Sequence, residues 1–167
     1  DGLQETQILK DPAGNILQKD VITYDIYGNV NSTHIMGSSM MNGIGGSADF
    51  AANAYLTIFT CGSTTKGGAI SSIVPFVSHI DHTNHYIDAV ITEYGVADLR
   101  HKSDMQKAAE LIKVAHPDYR PMLQDYMRYA EKRGGQTQHE LSAAFAMHDT
   151  FLRKGDMRLT DLAEYIK

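Results

Sequence analysis

A change of period near residue 100 constrains this chain more than any other feature. Ahead of it, short apolar and β-branched runs are interrupted by glycine; beyond it, apolar residues recur at the spacing of a helix face. The first half therefore predicts strands over residues 3–9 and 16–26, joined by the turn Asp11-Pro12-Ala13-Gly14-Asn15. A strand over 30–36 follows the turn Tyr27-Gly28-Asn29, and further strands are expected over 56–60, 70–77 and 86–92. In the second half, Met105, Ala108, Ala109, Ile112 and Ala115 mark one helical face that ends at His116-Pro117. Helices over 120–133, 138–152 and 159–166 complete the pattern, the first of them stopped by Gly134-Gly135. Strands with interspersed helices and a helical C-terminal end indicate an α/β domain, and 167 residues hold one such domain with a real core.

Composition narrows the function classes. A net charge of −5 argues against general affinity for nucleic acid or an anionic membrane. The single cysteine, Cys61, cannot form an internal disulfide or a thiolate-based metal site, which fits a reducing, cytoplasmic setting. No apolar run approaches the ~20 residues that cross a bilayer. The chain starts at Asp1, and the expectation is a domain excised from something longer.

The most informative segment is Met40-Met41-Asn42-Gly43-Ile44-Gly45-Gly46-Ser47-Ala48-Asp49-Phe50. Three glycines in four positions let backbone approach a ligand closely and adopt φ > 0. With Ser47-Ala48-Asp49 opening a helix, successive N–H groups suit a phosphate, a carboxylate or the oxyanion of acyl transfer. A tight turn between packed elements is the competing reading.

The flanks make the segment specific. Asp25-Ile26-Tyr27-Gly28-Asn29-Val30-Asn31-Ser32-Thr33 precedes it, and Lys66-Gly67-Gly68, Ile73-Val74-Pro75 and Ser78-His79-Ile80-Asp81-His82-Thr83 follow. Thr92-Glu93-Tyr94-Gly95-Val96-Ala97-Asp98-Leu99-Arg100 and Ala115-His116-Pro117-Asp118-Tyr119-Arg120 complete the series. Over about residues 20–130 this ordered set resembles the acetyl-CoA hydrolase/CoA-transferase family, in particular its succinyl-CoA:acetate CoA-transferase branch.

The resemblance implies a CoA-transferase-type (NagB/RpiA-like) open-sheet domain, with residues 1–167 forming the C-terminal one of two related domains. It implies CoA as a substrate, no tightly bound cofactor and no metal. A glutamate nucleophile would attack the thioester and pass through a glutamyl-CoA intermediate; the family's glutamate lies upstream of these motifs, in a domain absent from this chain, so the isolated segment is expected to be inactive. Gly46 matches the glycine whose N–H helps form the oxyanion hole, while Asn42, Lys66 and Ile22 match positions that contact CoA. The partners implied are acyl-CoA, small carboxylates and the N-terminal domain, within a homo-oligomer. Acetyl-CoA hydrolysis and a non-catalytic CoA-binding or interaction module are the alternatives. The sequence departs from the family at Thr23, where glutamate is frequent, at Tyr94, where glutamine is common, and at His101, where glycine is common.

Other candidate groups have plainer readings. His79, His82 and His85 approach metal-ligand spacing, but lack an accompanying cysteine, and are expected to shape a loop with hydrogen-bonded imidazoles. Glu93 ends a strand and reads as structural rather than nucleophilic; Asp98 and Arg100 read as a local charge pair. Ser47 lacks a nucleophile-elbow context and is expected to cap a helix.

Overall fold

The structure, a computed structural model, describes residues 8–10, 16–19 and 22–166. The first strands, β1 (Ile8–Lys10) and β2 (Ile16–Lys19), pair antiparallel with Ile8 opposite Lys19. The turn expected at residues 11–15 lies outside the described residues, as do residues 3–7 of the first expected strand. Next come β3 (Thr23–Asp25), β4 (Val30–Asn31), β5 (His34–Ile35), β6 (Ser39–Met40), α1 (Ser47–Asn53) and β7 (Ile58–Thr60). Then follow β8 (Thr64–Thr65), β9 (Ile70–Ser71), β10 (Ile73–Val74), β11 (Ala89–Thr92) and β12 (Gly95–Asp98). The helical end holds α2 (Asp104–Val114), α3 (Arg120–Glu131) and α4 (Ala146–Lys154).

Among the described residues the strands form small sheets rather than one broad one. Two have three strands, ordered β10-β3-β4 and β12-β11-β7, and β1-β2, β5-β6 and β8-β9 are two-stranded. The pairs β3–β10 and β7–β11 are parallel. The expected strand over 30–36 breaks at Ser32-Thr33, because Ser32 N–H donates to the Asp81 carboxylate and Thr33 N–H to Asn31 Oδ1 instead of to a neighbouring strand. The one expected over 70–77 splits at Ser72, whose N–H donates to the Ser63 carbonyl. The β11–β12 hairpin closes through Glu93-Tyr94, and Gly95, which opens β12 opposite Thr92, has φ +135°.

The core lies between the sheets and α2–α3. Tyr24, Ile26, Tyr27, Val30, Ile73 and Val74 enter it from the first sheet, and Val90, Ala97 and Leu99 from the second. Leu111 and Val114 of α2 and Leu123, Tyr126 and Ala130 of α3 close it. Helix α2 begins with a capping box: the Ser103 side chain accepts from Gln106 N, and the Gln106 side chain accepts from Ser103 N. Its buried face is rotated from the expected one. Leu111 and Val114 are buried and Ala109 is exposed, since the helix packs on β11 and β12 as well as on α3. Gly28 is required by this packing: at φ +95°, a Cβ there would lie 2.9 Å from Leu99 Cδ1.

The C-terminal end departs further from the periodicity. The helix expected over 138–152 becomes a 3-10 turn at Leu141–Ala143 followed by α4. Glu140 makes the break, accepting from Ser142 N and Oγ while pairing with Arg133 Nε at 2.6 Å. Arg133 and Ser142 hold its carboxyl down at about 2. The helix expected over 159–166 is instead two 3-10 turns, Met157–Leu159 and Leu162–Glu164, each opened by an aspartate side chain on a backbone N–H.

Two predictions arise from this frame. His101 holds φ +56°, a left-handed backbone that favours glycine. His101→Gly is expected to leave stability unchanged or raise it by up to ~1 kcal/mol, the relieved strain exceeding glycine's chain-entropy penalty. Matched urea titrations check this; a clear loss of stability would contradict it.

His148 is buried, and burial pushes its pKa down to about 4. The unfolded imidazole, near 6.5, binds protons first as pH falls. The stability it contributes is thus full above about pH 6.5 and lost as pH falls from there towards 4. His148→Gln should flatten the dependence of melting temperature on pH across that window, and an unchanged slope would assign the acid sensitivity elsewhere.

Candidate active-site loop

The glycine loop leaves the β5–β6 hairpin at Met41, whose N–H donates to the Thr33 carbonyl at 2.8 Å. Asn42 is half-buried at its start, and residues 43–46 are exposed. Of the three glycines only Gly45 is left-handed, at φ +59°. Gly46, with φ −87° and ψ 4°, is the N-cap of α1, and its carbonyl accepts from Phe50 N at 3.1 Å. Ser47 is therefore not the cap expected of it. Its hydroxyl donates to the Ile44 carbonyl at 2.7 Å and lies 3.1 Å from His82 Nε2. The shorter contact takes the hydroxyl proton, so the imidazole donates to Ser47 Oγ. That bonding fastens the loop and leaves Ser47 unactivated as a nucleophile.

His82 is buried, and burial lowers its pKa although Asp81 acts in the opposite direction. Its link to Ser47 spans 35 residues. No local pattern could have revealed it. The antiparallel bridge between Val30 and His82, with the bonds from Ser32 and Thr33 to Asp81, brings the segment to the loop.

Lys66 opens a second glycine turn. Lys66, Gly67 and Gly68 have φ +51°, +64° and +91°, a left-handed run that turns the chain between β8 and β9. Lys66 is exposed, with Nζ 5.0 Å from the centre of the Phe151 ring, and the Gly68 carbonyl accepts from Tyr119 Oη at 2.6 Å. Ile22 is half-buried against the core. Gly46, Asn42 and Ser47 thus share one loop, whereas the contact seen for Lys66 is to α4 and that for Ile22 is to the core. A groove of about 720 Å³ between α2 and α3 is lined by none of these residues.

The remaining candidates resolve into structural roles. Glu93 is exposed, but its carboxylate accepts from Ser63 N and Oγ, tying the end of β11 to the chain after β7. Partial burial raises its pKa, yet these bonds and the nearby His116 bring it below the usual carboxylate value. Asp98 and Arg100 form a bidentate pair at 2.8–3.0 Å. Tyr94 packs edge-on to His116, with Arg120 over its ring at 5.2 Å. Burial pushes the Cys61 thiol up to about 12, so it carries no thiolate near neutral pH.

The sequence profile of the acetyl-CoA hydrolase/transferase C-terminal domain matches residues 4–127. The chain belongs to that family. Within it, the chain is 55% identical over 147 residues to the succinyl-CoA:acetate CoA-transferase of Clostridium kluyveri, covering 87% of this chain and 27% of the relative. It is 46% identical over 156 residues to the acetyl-CoA hydrolase of Candida glabrata, covering 87% and 30%. A 4-hydroxybutyrate CoA-transferase structure from Porphyromonas gingivalis superposes with a TM-score of 0.51 at 32% identity, over 64% of this chain and 24% of that one. The chain thus spans only about a quarter to a third of the length of these relatives. The names of these relatives describe CoA transfer and acetyl-CoA hydrolysis. Among the described residues, no helix is long and apolar enough to cross a membrane.

Proposed function

We propose that residues 1–167 form the C-terminal domain of an enzyme that moves CoA between small carboxylic acids of the acetate and succinate kind. The exposed Gly43–Gly46 loop, in a chain of this family, carries the reading. Gly46 N–H serves as an oxyanion donor, and Asn42, Lys66 and Ile22 contact CoA. The half-buried setting of Ile22 against the core makes it the residue least able to reach a ligand directly. Catalysis proceeds through a glutamyl-CoA thioester on a glutamate supplied by a preceding domain, in a NagB/RpiA-like open-sheet arrangement and a homo-oligomer. The 46% identity to an acetyl-CoA hydrolase supports a second reading, in which water rather than a carboxylate resolves the intermediate.

Titration calorimetry of the full-length protein with CoA tests the assignment. Lys66→Ala removes a charged donor and should weaken binding by about tenfold, the equivalent of ~1.4 kcal/mol. Affinity equal to that of the parent would remove Lys66 from the site. Acetate- or succinate-dependent consumption of acyl-CoA, compared with consumption in water alone, separates transfer from hydrolysis.

A further inference from the structure

One cluster has no role in the loop chemistry. A ring nitrogen from each of His34 and His79 and a carboxylate oxygen of Asp81 lie within 4.8 Å of one another. They come from two segments far apart in sequence: β5, and the stretch just before His82. The sequence spacing drew attention to His79, His82 and His85, but the fold turns His82 towards Ser47 and puts His34 beside His79 instead. The two rings lie 3.9 Å apart, centre to centre.

From this geometry we propose that His34, His79 and Asp81 bind a divalent cation of the zinc class, which departs from the metal-free expectation drawn from the sequence. Two imidazole nitrogens and one carboxylate oxygen make a borderline donor set, and water completes a four-coordinate site. The half-exposed His79 gives the ion a route in.

The groups around the cluster are arranged as they are around ligands. The Asp81 side chain is only 5% exposed, and among the described residues its ion pair is with His79, Nε2 to Oδ1 at 3.3 Å. Ser32 N and the Ser32 and Thr33 hydroxyls hold the carboxylate in place. The one Thr33 hydroxyl proton points to Asp81, at 2.8 and 2.9 Å, so the oxygen accepts from His34 Nδ1–H at 2.7 Å. That bond orients the ring and leaves the lone pair on Nε2, the relation seen between ligating histidines and their outer partners. A bound ion would staple β5 to the segment carrying His82, and through His82 to the glycine loop.

Cobalt(II) titration of the metal-stripped full-length protein, read by visible absorption and followed by zinc displacement, tests the site. The expected result is one equivalent of cobalt with a four-coordinate spectrum, displaced by zinc. His34→Ala and His79→Ala should weaken this binding by on the order of 100-fold or more, and Thr33→Val by about tenfold. His85→Ala should leave it unchanged. Because His79 is substantially exposed, its variant removes a ligand with little disturbance of the core. No cobalt spectrum in the parent, or equal affinity in the parent, His34→Ala and His79→Ala, would overturn the proposal.

Discussion

On the oxyanion role proposed for Gly46, Gly46→Pro is expected to lower kcat of the full-length protein by roughly 10²–10³-fold, the loss typical of removing one oxyanion-hole donor. The substitution is selective because Gly46 already sits at φ −87°, near the value proline imposes. The change is then chiefly the loss of one N–H, and the preceding Gly45 has the conformational freedom to accommodate the ring. KM for acyl-CoA should move much less, since the donor acts on charge that develops in the transition state. Gly46→Ala is the matched control. Its Cβ would meet Phe50 Cε2 at 3.3 Å, but that ring is 77% exposed and free to swing away. Alanine keeps the N–H, so its activity should stay within a few-fold of the parent. A proline variant with parental kcat would remove Gly46 from the chemistry.

Asp25→Ala should lower the free energy of unfolding by about 2–5 kcal/mol, because it orphans two buried backbone donors. Asp25 is fully buried, and its Oδ1 accepts from Tyr27 N at 3.0 Å and Asn29 N at 2.9 Å. Its Oδ2 accepts from Asn29 Nδ2 at 2.7 Å, and Asn29 Oδ1 in turn accepts from Asn84 N. Burial raises the pKa of this carboxyl against the opposing pull of these bonds. The carboxylate thus organises the turn between β3 and β4 and links it to the chain before β11. Asp25→Asn keeps one acceptor oxygen and should fall between parent and alanine in urea unfolding. A loss below ~1 kcal/mol for the alanine variant would mean that water enters and replaces the side chain.

How much was legible depended on the range of the interactions. Helices α2 and α3 could be read closely because their signals are local: the apolar period and the stops at His116-Pro117 and Gly134-Gly135. The short helix after Gly46 and the turn at Gly28 were equally visible. The strands over 30–36 and 70–77 were read too long, since the distant Asp81 carboxylate takes the Ser32 N–H and the Ser63 carbonyl takes the Ser72 N–H. The C-terminal helices failed for a related reason: Glu140, Asp156 and Asp161 turn back on the backbone and begin new turns where periodicity runs on unbroken.

The same division holds at the candidate site. Residue order alone determined the family, the α/β class and the glycine loop with Gly46 at its end, because each rests on short motifs and their order along the chain. Tertiary structure alone decided that Ser47 is held by His82, that His34 rather than His85 joins His79 and Asp81, and that Lys66 lies over Phe151. Those pairings join segments tens of residues apart. Their geometry follows from how the small sheets and helices pack, which no local period or spacing encodes.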